Sequence, residues 1–180
     1  VFGTRNIVNA CIQTGVRNFL HMSSVVAIGA GLTPEPLDEN FQYNLKGYNL
    51  GYFDTKHAAE NIVSEAVQKK LLDAVIVNPS TIYGATDARK SSRKTQVKVA
   101  RGSFPFYTSG GVNIIGVADL IEGMILAWNK GRIGERYILA GDNISIKKLF
   151  QLIALQAEQP EPSIFLPNPL LHTIGFLGDI

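Results

Sequence analysis

Several residue types are nearly missing from this chain, and each scarcity excludes a class of protein. A single cysteine, Cys11, cannot close an internal disulfide, and its apolar helical setting reads as plain packing. No apolar run approaches the roughly 18 residues that a membrane span needs. The opening Val1-Phe-Gly-Thr-Arg lacks the charged start and apolar stretch of a secretory signal. Charge of neither sign dominates: 17 Lys and Arg face 15 Asp and Glu, a net +2. A balance so near zero points to neither a nucleic-acid partner nor a membrane surface. His21 and His57 read as structural, and nothing groups them with Cys11 or with paired carboxylates at metal-ligand spacing, so no metal is expected. There is no internal repeat and no low-complexity tract. A reducing, cytoplasmic location is the expectation that follows.

What is present suits an ordinary globular protein. The 180 residues are 46% hydrophobic and 18% charged, enough to bury a sizeable core. Ile7, Val8, Cys11 and Ile12 predict a helix over residues 3–14, stopped by Gly15. Residues 18–22 predict a short buried strand that ends in Ser23-Ser24. A long loop over about residues 30–51 is marked by Pro34, Pro36 and Asn40. Tyr52 then opens a helix to about Val67, with Ala58, Ala59, Ile62, Val63 and Ala66 on its apolar face. Lys69 and Lys70 are expected in its last turn, where cations suit the dipole. Asp73-Ala-Val-Ile-Val-Asn78, apolar without a break over residues 74–77, is the mark of a strand covered on both faces in a parallel sheet. Pro79 ends it, and residues 80–84 read as a turn. Helix, strand, helix, strand with short joins is the rhythm of a doubly wound α/β fold.

The pattern loosens beyond Gly84. Expected there are a basic helical segment over 89–101, an aromatic and glycine-rich loop over 104–111, and a strand over 113–117. A helix from about Asp119 to Lys130, a strand over 134–140 and a turn at 141–143 follow. Ser145 caps a helix running to Ala157, with Ile146, Leu149, Phe150 and Ile153 inward. Pro160, Pro162, Pro167 and Pro169 break the remainder, and the tail over 170–180 is apolar.

The chemistry centres on Tyr52-Phe-Asp-Thr-Lys56. Side chains four apart on a helix share one face. A free tyrosine, with a pKa of about 10, is a poor proton shuttle near neutrality. A cation a few ångströms away favours the phenolate, which can then trade a proton with a substrate hydroxyl or carbonyl. The spacing alone is common and usually marks a solvated pair. Its company carries more weight: Ser23-Ser24 and Pro79-Ser80 both fall at the carboxyl ends of expected parallel strands, where such sheets bind ligands. By itself Ser24 would cap local backbone, and Ser80 would be a turn hydroxyl. Arg89, Lys90, Arg93, Lys94 and Lys98 read first as a solvated helix face, and second as a site for a phosphorylated substrate.

In this order, these residues resemble the extended short-chain dehydrogenase/reductase family, of NAD-dependent epimerase/dehydratase type, over nearly the whole chain. Val1-Phe-Gly-Thr-Arg-Asn6 is similar to the family's N-V-x-G-T-x-N helix. Phe19-Leu-His-Met-Ser-Ser-Val-Val-Ala-Ile-Gly29 is similar to its serine-bearing strand, with Ser24 matching the serine and Ser23 its neighbour. Tyr52 and Lys56 match its Y-x-x-x-K pair. Pro79-Ser80-Thr81-Ile82-Tyr83-Gly84 looks like the segment that lines the nicotinamide.

The resemblance implies a Rossmann-like doubly wound parallel sheet plus a small mixed α/β substrate-binding region. Residues 1–84 would be the second half of the dinucleotide-binding domain. Residues 85–180 would be mainly the substrate region, with segments returning to the sheet. Tyr52 would be the acid–base, and Lys56 would assist the phenolate and hold the nicotinamide ribose. Ser24 would hydrogen-bond the substrate oxygen. Ser23, Pro79, Ser80 and Ile82 would join Tyr52 and Lys56 against the cofactor, NAD or NADP. The implied partners are a small-molecule substrate and a second copy of the chain, paired through the 3–14 and 52–67 helices.

The departures narrow this expectation. No G-x-x-G-x-x-G follows a strand, so the pyrophosphate-cradling turn is missing from this stretch. The family carries it near the N-terminus, which implies an incomplete chain lacking roughly 90 or more upstream residues. With them go a cofactor-contacting asparagine, one residue before Val1, and the acid or arginine that separates NAD from NADP. Ile28, Thr81 and Ala85 replace a tyrosine, an asparagine and a proline of the sugar-nucleotide branch. The Asn78-to-Gly84 and Gly131-to-Asn143 segments look closer to dihydroflavonol-reductase-like members. The expected activity is reduction of a ketone or aldehyde, or oxidation of a secondary alcohol. A nucleotide-sugar epimerase or dehydratase is the alternative. A non-catalytic dinucleotide-binding protein of the same fold fits less well, because serine, tyrosine and lysine are all present.

Overall fold

A computed structural model describes residues 1–31, 35–85 and 93–171. Pro34, Arg89, Lys90 and the tail from residue 172 lie outside the described residues. In chain order the elements are α1 (Phe2–Thr14), β1 (Asn18–Met22), a 3₁₀ turn (Val25–Ala27), α2 (Gly51–Gln68), β2 (Asp73–Pro79) and β3 (Thr81–Tyr83). Then come α3 (Lys94–Ala100), β4 (Phe106–Thr108), β5 (Gly111–Gly116), α4 (Val117–Lys130), β6 (Arg136–Leu139), β7 (Asp142–Ser145), α5 (Ile146–Gln156) and β8 (Ile164–Leu166). The chain divides into two compact units, residues 1–82 with 115–141, and the remainder.

The first unit is built on a parallel sheet of order β1-β2-β6. Leu20 is in register with Val75, and Val77 with Tyr137. Successive side chains of a strand face opposite ways. Ala74 and Ile76 accordingly pack with Val8, Val63, Ala66 and Leu72 on the α1–α2 face. Val75 and Val77 pack with Ala127 and Met124 of α4 on the other. Both faces are covered, which is why residues 74–77 read as one hydrophobic run. Each fully buried Val, Leu or Ile side chain there contributes about 1.5–3 kcal/mol.

The joins follow from local chemistry. Gly15 takes the left-handed conformation at φ 70°, so its amide reaches the Ile12 carbonyl and the Val16 amide reaches Cys11. Those two bonds end α1 and launch β1. Lys69 and Lys70 fall just past α2 rather than in its last turn; Lys69 pairs with Glu65 and Lys70 sits at φ 56°. On α4, Ile121, Ile125 and Trp128 stay about half exposed and line an open apolar groove with Leu20 and Met124. No helix among the described residues is long and apolar enough to cross a membrane.

The second unit is mixed. β5 pairs antiparallel with β7, and β4 pairs parallel with β8. The Ser145 hydroxyl accepts from the Lys148 amide at 3.1 Å and caps α5. Leu149, Phe150 and Ala154 pack with Val99 of α3, alongside Ile146 and Ile153. Three expectations are corrected here. The 104–111 loop contains β4, the expected turn at 141–143 opens β7, and residues 81–83 resume an extended strand where a turn was expected. These strands are three or four residues long, too short for alternation to register.

Gly131 shows how tightly α4 seats on the sheet. Its backbone, φ −66° and ψ 144°, suits any residue, so the glycine serves space and not conformation. An added methyl would overlap the Ala127 carbonyl oxygen and come within 2.9 Å of Val75. Gly131→Ala is therefore expected to destabilise the protein by about 1–3 kcal/mol. A thermal melt checks this, and an unchanged midpoint would mean that the helix can step aside.

Candidate active site

The site begins where β1 stops. The Ser23 amide still donates to the Val77 carbonyl at 2.8 Å, holding Ser23 at the sheet's carboxyl edge. Ser24 is extended, at φ −168° and ψ 156°, and heads the 3₁₀ turn. Its carbonyl accepts from the Ala27 amide at 3.0 Å and from the Asn78 side-chain amide at 3.0 Å. Its hydroxyl accepts from the Val26 amide at a long 3.5 Å, which leaves the hydroxyl proton available to another acceptor.

α2 brings the other two groups. The Lys56 ammonium donates to the carbonyls of Met22, at 3.3 Å, and Ser23, at 3.2 Å, tying the helix over the end of β1. His57 adds a second tie, its Nδ1 3.2 Å from the Ala27 carbonyl. Tyr52 lies one turn before Lys56 on the same helix face; the residue is 60% exposed, and its ring is edge-on to Phe53. Serine segment and helix thus meet on one side of the sheet. Lys56 joins the carbonyl beside Ser24, whereas the Tyr52 phenol has no hydrogen bond among the described residues.

The second predicted edge lies nearby on β2. Pro79 is that strand's last residue, in register with Leu139, and the Ser80 amide donates to the Leu139 carbonyl at 3.0 Å. Ile82 continues into β3. The hydroxyls of Ser23 and Ser80 and the Asn78 side-chain oxygen are buried without a hydrogen-bond partner. Buried polar groups normally find partners, so the two orphan hydroxyls at the carboxyl ends of two adjacent strands mark a place where something polar is to be met.

Sequence reasoning missed four side chains that hold the site. Glu60 and Asn78 are buried, and Glu60 pairs with Arg136 at 3.1 Å. The one available signal was an acid one turn beyond Lys56, beside the apolar Ala59 and Val63. Tyr43 is the fourth. It stacks on His57 with ring centroids 4.0 Å apart and donates to Asp54 at 2.8 Å. Burial, then the Asp54 bond and charge, push its phenol up to about 12, so Tyr43 is locked as a donor. Among the described residues no group of three or more His, Cys, Asp or Glu is placed to hold a metal.

A parallel sheet covered on both faces, with unpartnered polar groups at its carboxyl edge, defines a Rossmann-like α/β protein. The sequence model of the NAD dependent epimerase/dehydratase family matches residues 1–140, and the chain belongs to that family. A putative dihydroflavonol 4-reductase from Synechocystis sp. is 33% identical over 99% of this chain and 53% of its own length. The crystal structure of gox2253 matches 98% of this chain and 54% of its own, with a TM-score of 0.89 at 34% identity. PA4631, a nucleoside-diphosphate-sugar epimerase from Pseudomonas aeruginosa, matches 96% of this chain and 57% of its own, with a TM-score of 0.85 at 27% identity. The chain spans about half the length of the curated relatives it matches, 53% in the case of the Synechocystis protein.

His21 gives the site a pH signature. Burial, reinforced by the Lys56 charge and opposed by Glu60, holds its imidazole below the ordinary 6.5. Above about pH 6.5 the ring is neutral in both the folded and the unfolded chain and contributes no pH dependence. As pH falls below that, the unfolded chain takes up a proton that the folded one resists, and stability drops. The urea midpoint is expected to fall between about pH 7.5 and about pH 5.5, and to fall less in His21→Gln. Equal falls in the two proteins would remove His21 as the cause.

Proposed function

We propose that this chain carries the proton-transfer site of an NAD(P)-dependent oxidoreductase that reduces a ketone or aldehyde, or oxidises a secondary alcohol. The observation that carries the reading is Lys56 seated on the Met22 and Ser23 carbonyls. That tie falls one turn from Tyr52 along α2 and one residue from Ser24, which supports the reading. In this reading the Tyr52 hydroxyl exchanges a proton with the substrate oxygen. The Lys56 ammonium, one turn along, favours the phenolate electrostatically. The Ser24 hydroxyl donates to the same substrate oxygen, where charge develops.

The donor set fits a nicotinamide cofactor, NAD or NADP. Ser23 and Ser80 offer buried hydroxyls with no internal partner, and Lys56 keeps donor capacity beyond its two carbonyls. Those three, with Tyr52 and the backbone of Pro79 to Ile82, would hold it. When bound, such a cofactor supplies the hydride acceptance or donation. Residues 1–84 would form the cofactor side and residues 85–180 mainly the substrate region, with segments returning to the sheet. A cytoplasmic homodimer paired through α1 and α2 completes the proposal; Phe2 and Ile7 of α1 are exposed apolar residues suited to such pairing.

The relative named as a putative dihydroflavonol 4-reductase supports the reductase branch. The likeness to a nucleoside-diphosphate-sugar epimerase keeps that reaction as the second reading. Ile28, Thr81 and Ala85, which depart from the sugar-nucleotide pattern, weigh against it. In the complete protein, Tyr52→Phe is expected to lower turnover by at least about 100-fold while NAD(P) binding, followed by nicotinamide fluorescence, stays within about twofold. Wild-type turnover in the variant would refute the role given to Tyr52.

A further inference from the structure

We propose that Glu60 is a positioning residue for this site, holding the Ser24 segment through Asn78 and the residue 39–41 segment through Arg136. The inference rests on the reading of Ser24, Tyr52 and Lys56 given above. Glu60 is 4% exposed, on the α2 face that also buries Ala59, Val63 and Ala66. A carboxylate removed from water is costly unless its oxygens are met. Here each oxygen has its own donor. Oε1 accepts from Arg136 Nη1 at 3.1 Å, and Oε2 accepts from Asn78 Nδ2 at 2.8 Å.

Each donor then reaches one step further. Asn78 Nδ2 also donates to the Ser24 carbonyl at 3.0 Å, so one nitrogen joins α2 to the backbone of the serine segment. Arg136 spends its other donors on the carbonyls of Glu39, at 2.6 Å, and Phe41, at 2.8 Å. The Glu39 carboxylate returns to the sheet by accepting from the Ile138 amide at 2.9 Å. A simple stabilising pair would need only Glu60 and Arg136. Asn78 leaves its own oxygen buried without a partner, a cost that suits a side chain kept for its two donated bonds.

The geometry explains why that frame bears on the reaction. Glu60 lies one turn beyond Lys56, itself one turn beyond Tyr52, so the three are carried at successive turns of α2. Fixing Glu60 to β2 and β6 sets the rotation of the helix about its axis. The same carboxylate, through Asn78, sets the height of the Ser24 carbonyl. Hydroxyl and phenol are thereby referred to one anchor that touches neither substrate nor cofactor.

Two variants of the complete protein test this by hydrogen exchange and by kinetics. Glu60→Gln keeps the size but sets an amide where two donors converge. It is expected to speed exchange about tenfold at the amides of Ala27, Ile28, Ala30 and Phe41, leaving α1 unchanged. It is also expected to lower kcat by about 10-fold to 100-fold with KM within about twofold, as misplacement of reacting groups does. Asn78→Ala cuts one arm only, and its faster exchange should be confined to residues 24–30. Unchanged exchange, a uniform rise over the whole chain, or a local rise with kcat untouched would overturn the proposal. Should Glu60→Gln not fold, Asn78→Ala decides alone: a rise in both segments, or in neither, overturns it. Wild-type protein without turnover on a ketone and aldehyde panel would instead sink the oxidoreductase reading, and the exchange pattern would still decide whether Glu60 positions these segments.

Discussion

Glu60 lies almost wholly out of water, and a charge in that position is tolerable only when both of its oxygens are met. The arrangement of the first unit answers to that demand. Arg136 must stand on the α2 face of β6, which its register with Ile76 of β2 ensures. Asn78 must stand on the same face of β2, two residues beyond Ile76. Apolar packing alone would allow α2 to slide or roll on the sheet, because area burial has no direction. Hydrogen bonds to a buried carboxylate do have direction, and removing one partner of such a pair costs about 3–5 kcal/mol. Lys56 adds the other fixed point, at the carbonyl end of β1. Between these anchors the helix has one seat.

Much of this unit is legible in the sequence because its signals are local. The apolar run of residues 74–77 announces a strand covered on both faces, and Val75 against Ile76 shows the two coverings. Gly15 announces the end of α1 and does end it, in the left-handed conformation that glycine adopts freely. The Tyr52–Lys56 spacing and the position of Ser24 after a short strand lead to one region of one sheet. What holds them there is not local. Asn78 lies 18 positions from Glu60, and Arg136 lies 76. No periodicity carries information over such separations. The available clue was a lone acid on a face of alanine and valine.

The second unit was harder to read for a related reason. β4, β7 and β8 have three or four residues each. Their pairing is decided by partners far along the chain: Tyr107 meets Phe165, and Val112 meets Ile144. Gly110, Gly111 and Asp142 look like turn formers, and glycine is poor evidence for a strand. The helices were plainer, since Ser145 with Leu149, Phe150 and Ile153 supplies both a cap and an inward stripe. Family membership, resting on residues 1–140, is carried mainly by the unit whose signals are local.

The apolar groove on α4 carries a practical corollary. Its rim includes Trp128, the chain's single tryptophan, about half exposed beside Leu20, Ile121 and Ile125. Indole emission shifts to the blue when water leaves its surroundings. This chain therefore contains its own optical gauge, without any dye, for whether that flank of the sheet is wet or dry.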